Sequence, residues 1–208
     1  MIKLLGKAPS INVRKVLWTC AELGLPIEHE EWGSGTPRST QDPAFLALNP
    51  NGLVPVLLDG DAVLRESNTL CRYLAARERR HDLLPADALG RARVEQWMDW
   101  QATELNNAWR RPFMALVRHS AAHQQPDLLR ADIEQWNHLM GILDAQLRRT
   151  GAHVVGGDFT LADIVLGLSA WRWTQTPIQR PALPAVQAWM ARLAQRPGWA
   201  KHVANGRP

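Results

Sequence analysis

Hydrophobic and polar positions follow two different rhythms along this chain, and the change falls near residue 81. Before it, short apolar runs alternate with helical stretches. Ile2–Leu5 reads as a strand, and about Asn12–Leu23 repeats apolar residues at helical spacing until Gly24 stops it. Ile27–Trp32 reads as a second strand, and a strand–helix–strand opening implies parallel pairing through a right-handed crossover. Gly33–Gln41 is a polar loop and Pro43–Leu48 a short helical turn. Val54–Leu58 and Ala62–Leu64 flank Asp59-Gly60-Asp61, a strong local signal for a hairpin. Pro55 falls at the opening of the first of these strands, where a sheet tolerates proline. The turn-rich approach Asn49-Pro50-Asn51-Gly52 makes a cis Val54–Pro55 bond an expectation. Glu66-Ser67-Asn68 then leads into a helix with Leu70, Tyr73 and Leu74 on one face and Ser67 as its N-cap.

From residue 82 the rhythm is helical to the end. Residues 82–88 serve as the linker, so the pattern divides the chain into an α/β domain, 1–81, and an all-helical domain, 82–208. One long helix is expected from about Gly90 towards Val117, with a kink at Pro112. Asp127–Arg149 forms another, with Ile133, Trp136, Met140, Leu143 and Leu147 spaced for one face. In Phe159-Thr160-Leu161-Ala162-Asp163-Ile164, Thr160 and Asp163 resemble a capping box, and Phe159 and Ile164 hold the positions of a hydrophobic staple. Helices near Ala182–Ala194 and Trp199–Val203 finish the chain.

Composition excludes more than it selects. At 208 residues, 46% hydrophobic and 21% charged, the chain can build a real core. The net charge of +4 is dispersed, and no basic run interleaved with aromatics suggests nucleic-acid binding. No apolar run reaches transmembrane length, and Met1–Leu5 is too short for a signal sequence, so no membrane partner is expected. Cys20 and Cys71 fall on apolar helix faces, without C-x-x-C or zinc spacing, which argues against disulfides and metal and for a reducing, cytoplasmic setting. His119 and His123 lack the glutamate that an H-E-x-x-H zinc site uses and read as surface residues.

The stretch NPNGLVPVLLDGDAVLRESNTLCRYLA resembles the second half of the thioredoxin-like domain of glutathione transferases. The capping segment around Thr160 and Asp163 resembles their helical domain, so the resemblance covers nearly the whole chain. It points to a bacterial, theta-like subgroup of serine/asparagine type. The implied fold is a thioredoxin-like α/β domain followed by an all-α domain, the implied co-substrate is glutathione, and the implied assembly is a homodimer. The resemblance also implies that Val54, before a cis Pro55, holds the cysteinyl backbone of glutathione, and that Glu66 and Ser67 receive its γ-glutamyl end. Physical chemistry agrees independently. An open strand edge at Val54 can pair with an extended peptide, and a helix N-terminus at Ser67 suits a carboxylate.

The chemistry is expected in the first loop. Redox relatives carry a cysteine at the start of the first helix, where this chain has Ser10 and, two residues on, Asn12. Either side chain can donate a hydrogen bond to the glutathione sulfur, and either can instead cap the helix. A thiol of pKa about 8.5 needs a drop of about two units, or about 2.7 kcal/mol, to ionise at neutral pH. One hydrogen bond to a charged acceptor supplies about 1.5–3 kcal/mol, and a helix N-terminus about 0.3–1. No protein cysteine is needed. Leu53 departs from the family pattern, which often has Lys, Arg or Gln there, so Arg38 or Lys7 is left to meet the glycyl carboxylate.

The second substrate is expected between the first loop and the long helix, with Lys7 on one side. On the helix, Asn107, Arg110, Met114 and Arg118 fall on one stripe. The arginines suggest a small anionic, haloacid-like electrophile held by charge-assisted pairing. The alternative is that they are solvated or pair with acids across a dimer. Two rival functions remain open: a glutathione-dependent disulfide reductase, and a non-catalytic binding protein on the same fold.

Overall fold

The computed structural model describes residues 2–206; Met1 and residues 207–208 lie outside them. The chain forms two compact units: residues 2–81 together with Pro197–Asn205, and Asp82–Arg196. In the first unit, β1 (Ile2–Leu5), α1 (Ile11–Leu23), β2 (Glu28–Glu30), α2 (Pro43–Leu48), β3 (Val56–Asp59), β4 (Ala62–Arg65) and α3 (Ser67–Arg77) follow in order. The sheet order is β2-β1-β3-β4. β1 pairs with β2 in parallel and with β3 antiparallel, and β3 and β4 form the hairpin. This is the expected thioredoxin-like sheet.

Three boundaries moved. β2 keeps only Glu28–Glu30 of the expected Ile27–Trp32. Lys3, opposite Glu28 in register, pairs with Glu28 at 3.0 Å and Glu30 at 2.7 Å. The β3 ladder opens at Val56 opposite Leu5, leaving Val54 and Pro55 outside it. In the hairpin, Asp59 pairs with Ala62, so Gly60 and Asp61 form the turn, and Gly60 supplies a φ of 59°. A positive φ at the first central residue alone matches a type II′ turn.

Leu4, Val13, Val16, Trp18, Phe45, Val56, Leu57, Leu70 and Leu74 are fully buried and form the core of this unit. Across the packed helices α1 and α3, the buried Lys15 donates to Asn68 Oδ1 at 3.1 Å. Cys20 on α1 and Cys71 on α3 lie in this apolar layer, and burial pushes their thiols up to about 12 and about 11.

The last helix, α9 (Pro197–His202), sits in this unit against α1, not with the helices expected of residues 82–208. The physical reason is two tryptophans. Trp199 meets the buried Trp18 edge-on, with ring centroids 5.6 Å apart. Gly198 lies against the same indole, where any Cβ would collide with it.

His202, on this helix, must stay neutral. Burial, with repulsion from Lys201, His29 and Arg14, lowers its pKa to about 4. Above about pH 6.5 it is neutral whether folded or unfolded, and it costs nothing. As pH falls from 6.5 towards 4 only the unfolded chain takes up the proton, so stability is lost across that window. With solvent screening of its partly exposed ring allowed for, the wild type is expected to lose about 1 kcal/mol more than His202→Gln between pH 6.5 and 5. Denaturant midpoints of both proteins at the two pH values check this; equal losses would remove His202 from the account.

The second unit contains α4 (Ala88–Trp100), a π-helical stretch Gln101–Leu105, α5 (Asn106–Leu116), α6 (Pro126–Thr150), α7 (Leu161–Gln175) and α8 (Pro184–Leu193). The single long helix is therefore interrupted upstream of Pro112. The buried Gln101 donates through Nε2 to Asn106 Oδ1 and Ser169 Oγ, both at 2.9 Å. Asn106 Oδ1 also accepts from Trp109 Nε1 at 2.8 Å. Such polar groups, packed inside a helical layer, compensate the widened turn.

Helix α7 is buried along most of its length, and Thr160 and Asp163 form the expected capping box at its start. Phe159 and Ile164 are both buried, the former under the guanidinium of Arg196 at 4.1 Å. The Arg172 guanidinium sits in the corner between the nearly perpendicular rings of Trp109 (4.3 Å) and Phe113 (4.1 Å). No described helix is long and apolar enough to cross a membrane.

Candidate functional site

The first unit brings three backbone segments to one place: the loop after β1, the turn before β3, and the start of α3. Gly6 makes this approach workable. A Cβ on Gly6 would stand 2.6 Å from Val13 Cγ2 and 2.9 Å from Val54 Cβ, and its φ of 150° is one that side chains rarely adopt. Only glycine lets the loop lie against Val54.

Side chains then pin the loop. His29 Nε2 donates to Gly6 O at 2.6 Å, and the Glu31 carboxylate accepts from Ala8 N–H at 3.1 and 3.2 Å. Arg14 Nε donates to Ala8 O at 3.3 Å, and Ser10 N–H to Lys7 O at 3.0 Å. The loop delivers Ser10 as the N-cap of α1, with extended φ and ψ of −70° and 125°. Its carbonyl accepts the first helical bond from Arg14 N–H at 2.9 Å. Its hydroxyl makes no capping bond.

Asn12 is engaged differently. Its Oδ1 accepts from Ser67 Oγ at 3.3 Å, which ties the N-terminal turns of α1 and α3 together. Ser67 is thus not the N-cap of α3; it occupies the first helical position, and Glu66 caps. The shift follows from the backbone, because Glu66 takes φ 69° and ψ 107°, outside the helical region, while Ser67 is already helical. A non-glycine residue at positive φ carries about 1–3 kcal/mol of strain, and such residues cluster at ligand sites. Glu66 is exposed, and its carbonyl accepts from Leu70 N–H at 2.9 Å.

Val54 precedes the cis bond to the buried Pro55 and lies outside the β ladder. Leu53 is 64% exposed. Its carbonyl accepts from Asn49 Nδ2 at 2.8 Å, while Asn49 Oδ1 accepts from Asn51 N–H at 3.2 Å and Asn49 O from Gly52 N–H at 2.9 Å. Asn49, 2% exposed, is the hub of the turn that presents Val54. Sequence reasoning treated it only as part of a turn-rich run; an Asn followed by Pro and Gly was the available signal. His29 and Glu31, which fix the loop, carried no signal, because their partners are backbone groups remote in sequence.

Ser10, Asn12, Val54, Pro55, Glu66 and Ser67 therefore belong to one unit and surround these segments. Arg38 and Lys7 are already occupied. Arg38 Nη1 pairs with Glu30 Oε2 at 2.5 Å and its guanidinium lies over Trp32, while Lys7 Nζ donates to Ser34 Oγ at 2.5 Å. Lys3, Trp32 and Arg38 together hold the Glu30 carboxyl below its ordinary range.

In the second unit, Asn107 and Arg110 are exposed on α5 and Met114 is half-buried. Arg118 leaves their stripe: α5 ends at Leu116, and the guanidinium of Arg118 turns back over Phe113 at 5.3 Å. His119 has a φ of 52°, as expected of a chain departing from a helix, and His123 Nδ1 bonds Ser120 Oγ at 2.8 Å. Arg111 is bound to Asp132 at 2.9 Å, whereas Arg110 has no acidic partner among the described residues. No group of three His, Cys, Asp or Glu side chains suited to a metal occurs among those residues.

Comparison with known proteins gives a family for this arrangement. Residues 4–81 match the model of the glutathione S-transferase N-terminal domain, and residues 110–197 that of the C-terminal domain. The chain is 37% identical to glutathione S-transferase GstB of Escherichia coli K12, over 98% of each chain. It is 36% identical to glutathione S-transferase 3 of Zea mays, over 98% of this chain and 93% of that one. Among solved structures, a theta class glutathione S-transferase of Xanthomonas axonopodis pv. citri with glutathione bound superposes with a TM-score of 0.89 at 39% identity. That match covers 97% of this chain and 96% of the other. A thioredoxin-like sheet, a loop held against a cis-proline turn, matches to both domain models and a relative aligned over 98% of each chain lead to one assignment: the chain belongs to the glutathione S-transferase family.

Proposed function

We propose that the protein binds glutathione in its first unit, with Ser10 donating its hydroxyl to the sulfur, and delivers the thiolate to a small anionic electrophile. Glutathione is the co-substrate, and no metal takes part. The observation that carries the reading is Ser10 itself: a hydroxyl at a helix N-terminus, in the loop facing Val54, that caps nothing. Asn12 could still donate through Nδ2, but its Oδ1 takes the Ser67 hydroxyl, which ties its amide to the start of α3, and Ser10 is preferred on the resemblance to serine-type transferases. The peptide lies extended along Val54, and its γ-glutamyl end meets Glu66 and the N-terminus of α3.

The thiol proton leaves to solvent, and the thiolate attacks the electrophilic carbon. A carbon–sulfur bond forms while the halide departs with the carbon–halogen bonding pair. Positioning and thiolate stabilisation supply the rate gain. Arg110 is the side chain proposed to pair with the electrophile's carboxylate, as the exposed cation on α5 without an acidic partner among the described residues. Family membership supports a homodimer. Because both cysteines are buried with raised pKa values, disulfide exchange here would run through glutathione alone.

Calorimetric titration of glutathione into wild type and Glu66→Ala tests the site, and turnover of a 2-haloacid by Arg110→Ala tests the electrophile. Glu66→Ala is expected to weaken glutathione binding by about tenfold, the loss of one charged hydrogen-bonding group. Arg110→Ala is expected to lower haloacid turnover with glutathione binding intact. Undetectable glutathione binding by the wild type would favour the non-catalytic alternative. Turnover of a mixed disulfide but of no halogenated substrate would favour the reductase.

A further inference from the structure

Helices α1 and α3 are joined near their starts by a second bond besides the Asn12–Ser67 link, and this one involves a charge. Lys15, 1% exposed, donates through Nζ to Oδ1 of the buried Asn68 at 3.1 Å. Asn12 and Lys15 stand three positions apart on α1, which puts them on one face of the helix. Ser67 and Asn68 are the first two residues of α3. One face of α1 therefore holds the opening turn of α3 at two successive residues, at 3.3 and 3.1 Å.

Packing alone does not call for a lysine at this position. Around it, Val13, Val16 and Trp18 on α1 and Leu70 and Leu74 on α3 are all fully buried. Taking an ammonium out of water into such a layer carries a heavy desolvation penalty, and apolar residues of similar volume often hold two elements equally well. What the Lys15–Asn68 bond adds is direction. Apolar contact is non-directional, whereas a hydrogen bond fixes the register of one helix against the other. That register matters at the helix starts. Ser10 is the N-cap of α1 and Glu66 the N-cap of α3, and neither uses its side chain to cap. The spacing between these two residues is set by the spacing between the two opening turns.

We propose that Lys15 is a positioning residue for the glutathione site. Through Asn68 it fixes the opening turn of α3 against that of α1, and so the distance between the hydroxyl that meets the sulfur and the groups that meet the γ-glutamyl end. The inference rests on the glutathione reading and extends it to a buried residue that acts through another.

Three quantities test it in wild type, Lys15→Met and Lys15→Met/Asn68→Leu: S-methylglutathione affinity by calorimetry, the denaturant midpoint, and the pKa of the bound glutathione thiol by spectrophotometric titration. Lys15→Met takes this donor from the buried Asn68 and is expected to lower the midpoint. The double variant swaps both partners for apolar groups and is expected to recover most of that loss. Affinity is expected to fall about tenfold in both variants and not to return with stability. The bound-thiol pKa is expected to hold, because Ser10 and its loop are untouched. Wild-type affinity in the double variant would overturn the proposal and leave the pair a scaffold. A raised thiol pKa at unchanged affinity would also overturn it, making Lys15 an electrostatic aid to the sulfur. If the wild type itself fails to bind S-methylglutathione, the glutathione reading falls and this inference with it.

Discussion

Replacing Ser10 by alanine is expected to lower kcat/KM for glutathione conjugation by about 10- to 150-fold, with little change in stability. The figure is the loss of one hydrogen bond to a charged acceptor, about 1.5–3 kcal/mol. Little stability is at risk because the hydroxyl caps nothing: α1 already begins through the Ser10 carbonyl, which the alanine keeps. The same free energy should appear as a rise of about one to two units in the pKa of the bound thiol. A spectrophotometric titration of the thiolate in the binary complex reads that shift directly. Asn12→Ala is expected to behave differently, loosening the link to Ser67 and raising KM for glutathione more than it lowers kcat. Should Asn12→Ala instead carry the pKa shift and Ser10→Ala leave it unmoved, the two residues exchange roles.

The largest effect on stability is expected at Asp163. Its carboxylate is fully buried and accepts from Val154 N–H at 3.0 Å, Thr160 N–H at 2.9 Å and Trp189 Nε1 at 2.8 Å. The Thr160 hydroxyl adds a fourth bond at 3.2 Å. Two of these donors, on Val154 and Trp189, lie away from the first turn of α7 and the other two belong to Thr160 at its start, so one side chain joins the helix, the preceding loop and α8. Asp163→Ala leaves those donors buried without partners, at about 1–3 kcal/mol each. Some will recover water, and a net loss of about 3–5 kcal/mol is expected. That is a large part of the 5–15 kcal/mol that typically holds a domain together. Asp163→Asn keeps the shape and one acceptor oxygen and is expected to lose less. Chemical denaturation followed by tryptophan emission would measure both variants, and an alanine variant within 1 kcal/mol of wild type would sink this account.

Most of the fold was legible because the signals that specify it are local. Gly24 stops α1, Gly60 turns the hairpin, and Thr160 with Asp163 opens α7, each acting on residues a few positions away. The cis Val54–Pro55 bond and the segments around Ser10 and Glu66 could be named for the same reason. What escaped depends on distant partners. The π-helical stretch at Gln101–Leu105 exists where Gln101 reaches Ser169, and nothing within the helix itself announces that. Pro112 drew attention as the obvious irregularity, yet α5 carries it without a break. Ser67 looked like a cap because its residue type favours caps. The strained backbone of Glu66 moved the cap back by one, leaving the Ser67 hydroxyl to reach Asn12. Lys7 and Arg38 looked available because a sequence does not show that Ser34 and Glu30 already hold them.

The position of α9 bears on how the chain is made. Trp18, at the heart of the first unit, is covered by Trp199 and Gly198, which follow the whole run Asp82–Arg196 in the chain. During synthesis residues 2–81 therefore emerge with the Trp18 indole uncovered, and all of Asp82–Arg196 must be translated before its cover arrives. A nascent chain stalled between the two units would present that surface to chaperones or to other chains. A gene truncated shortly before codon 197 would release a product that keeps every residue proposed to bind glutathione and lacks the helix that closes over their scaffold.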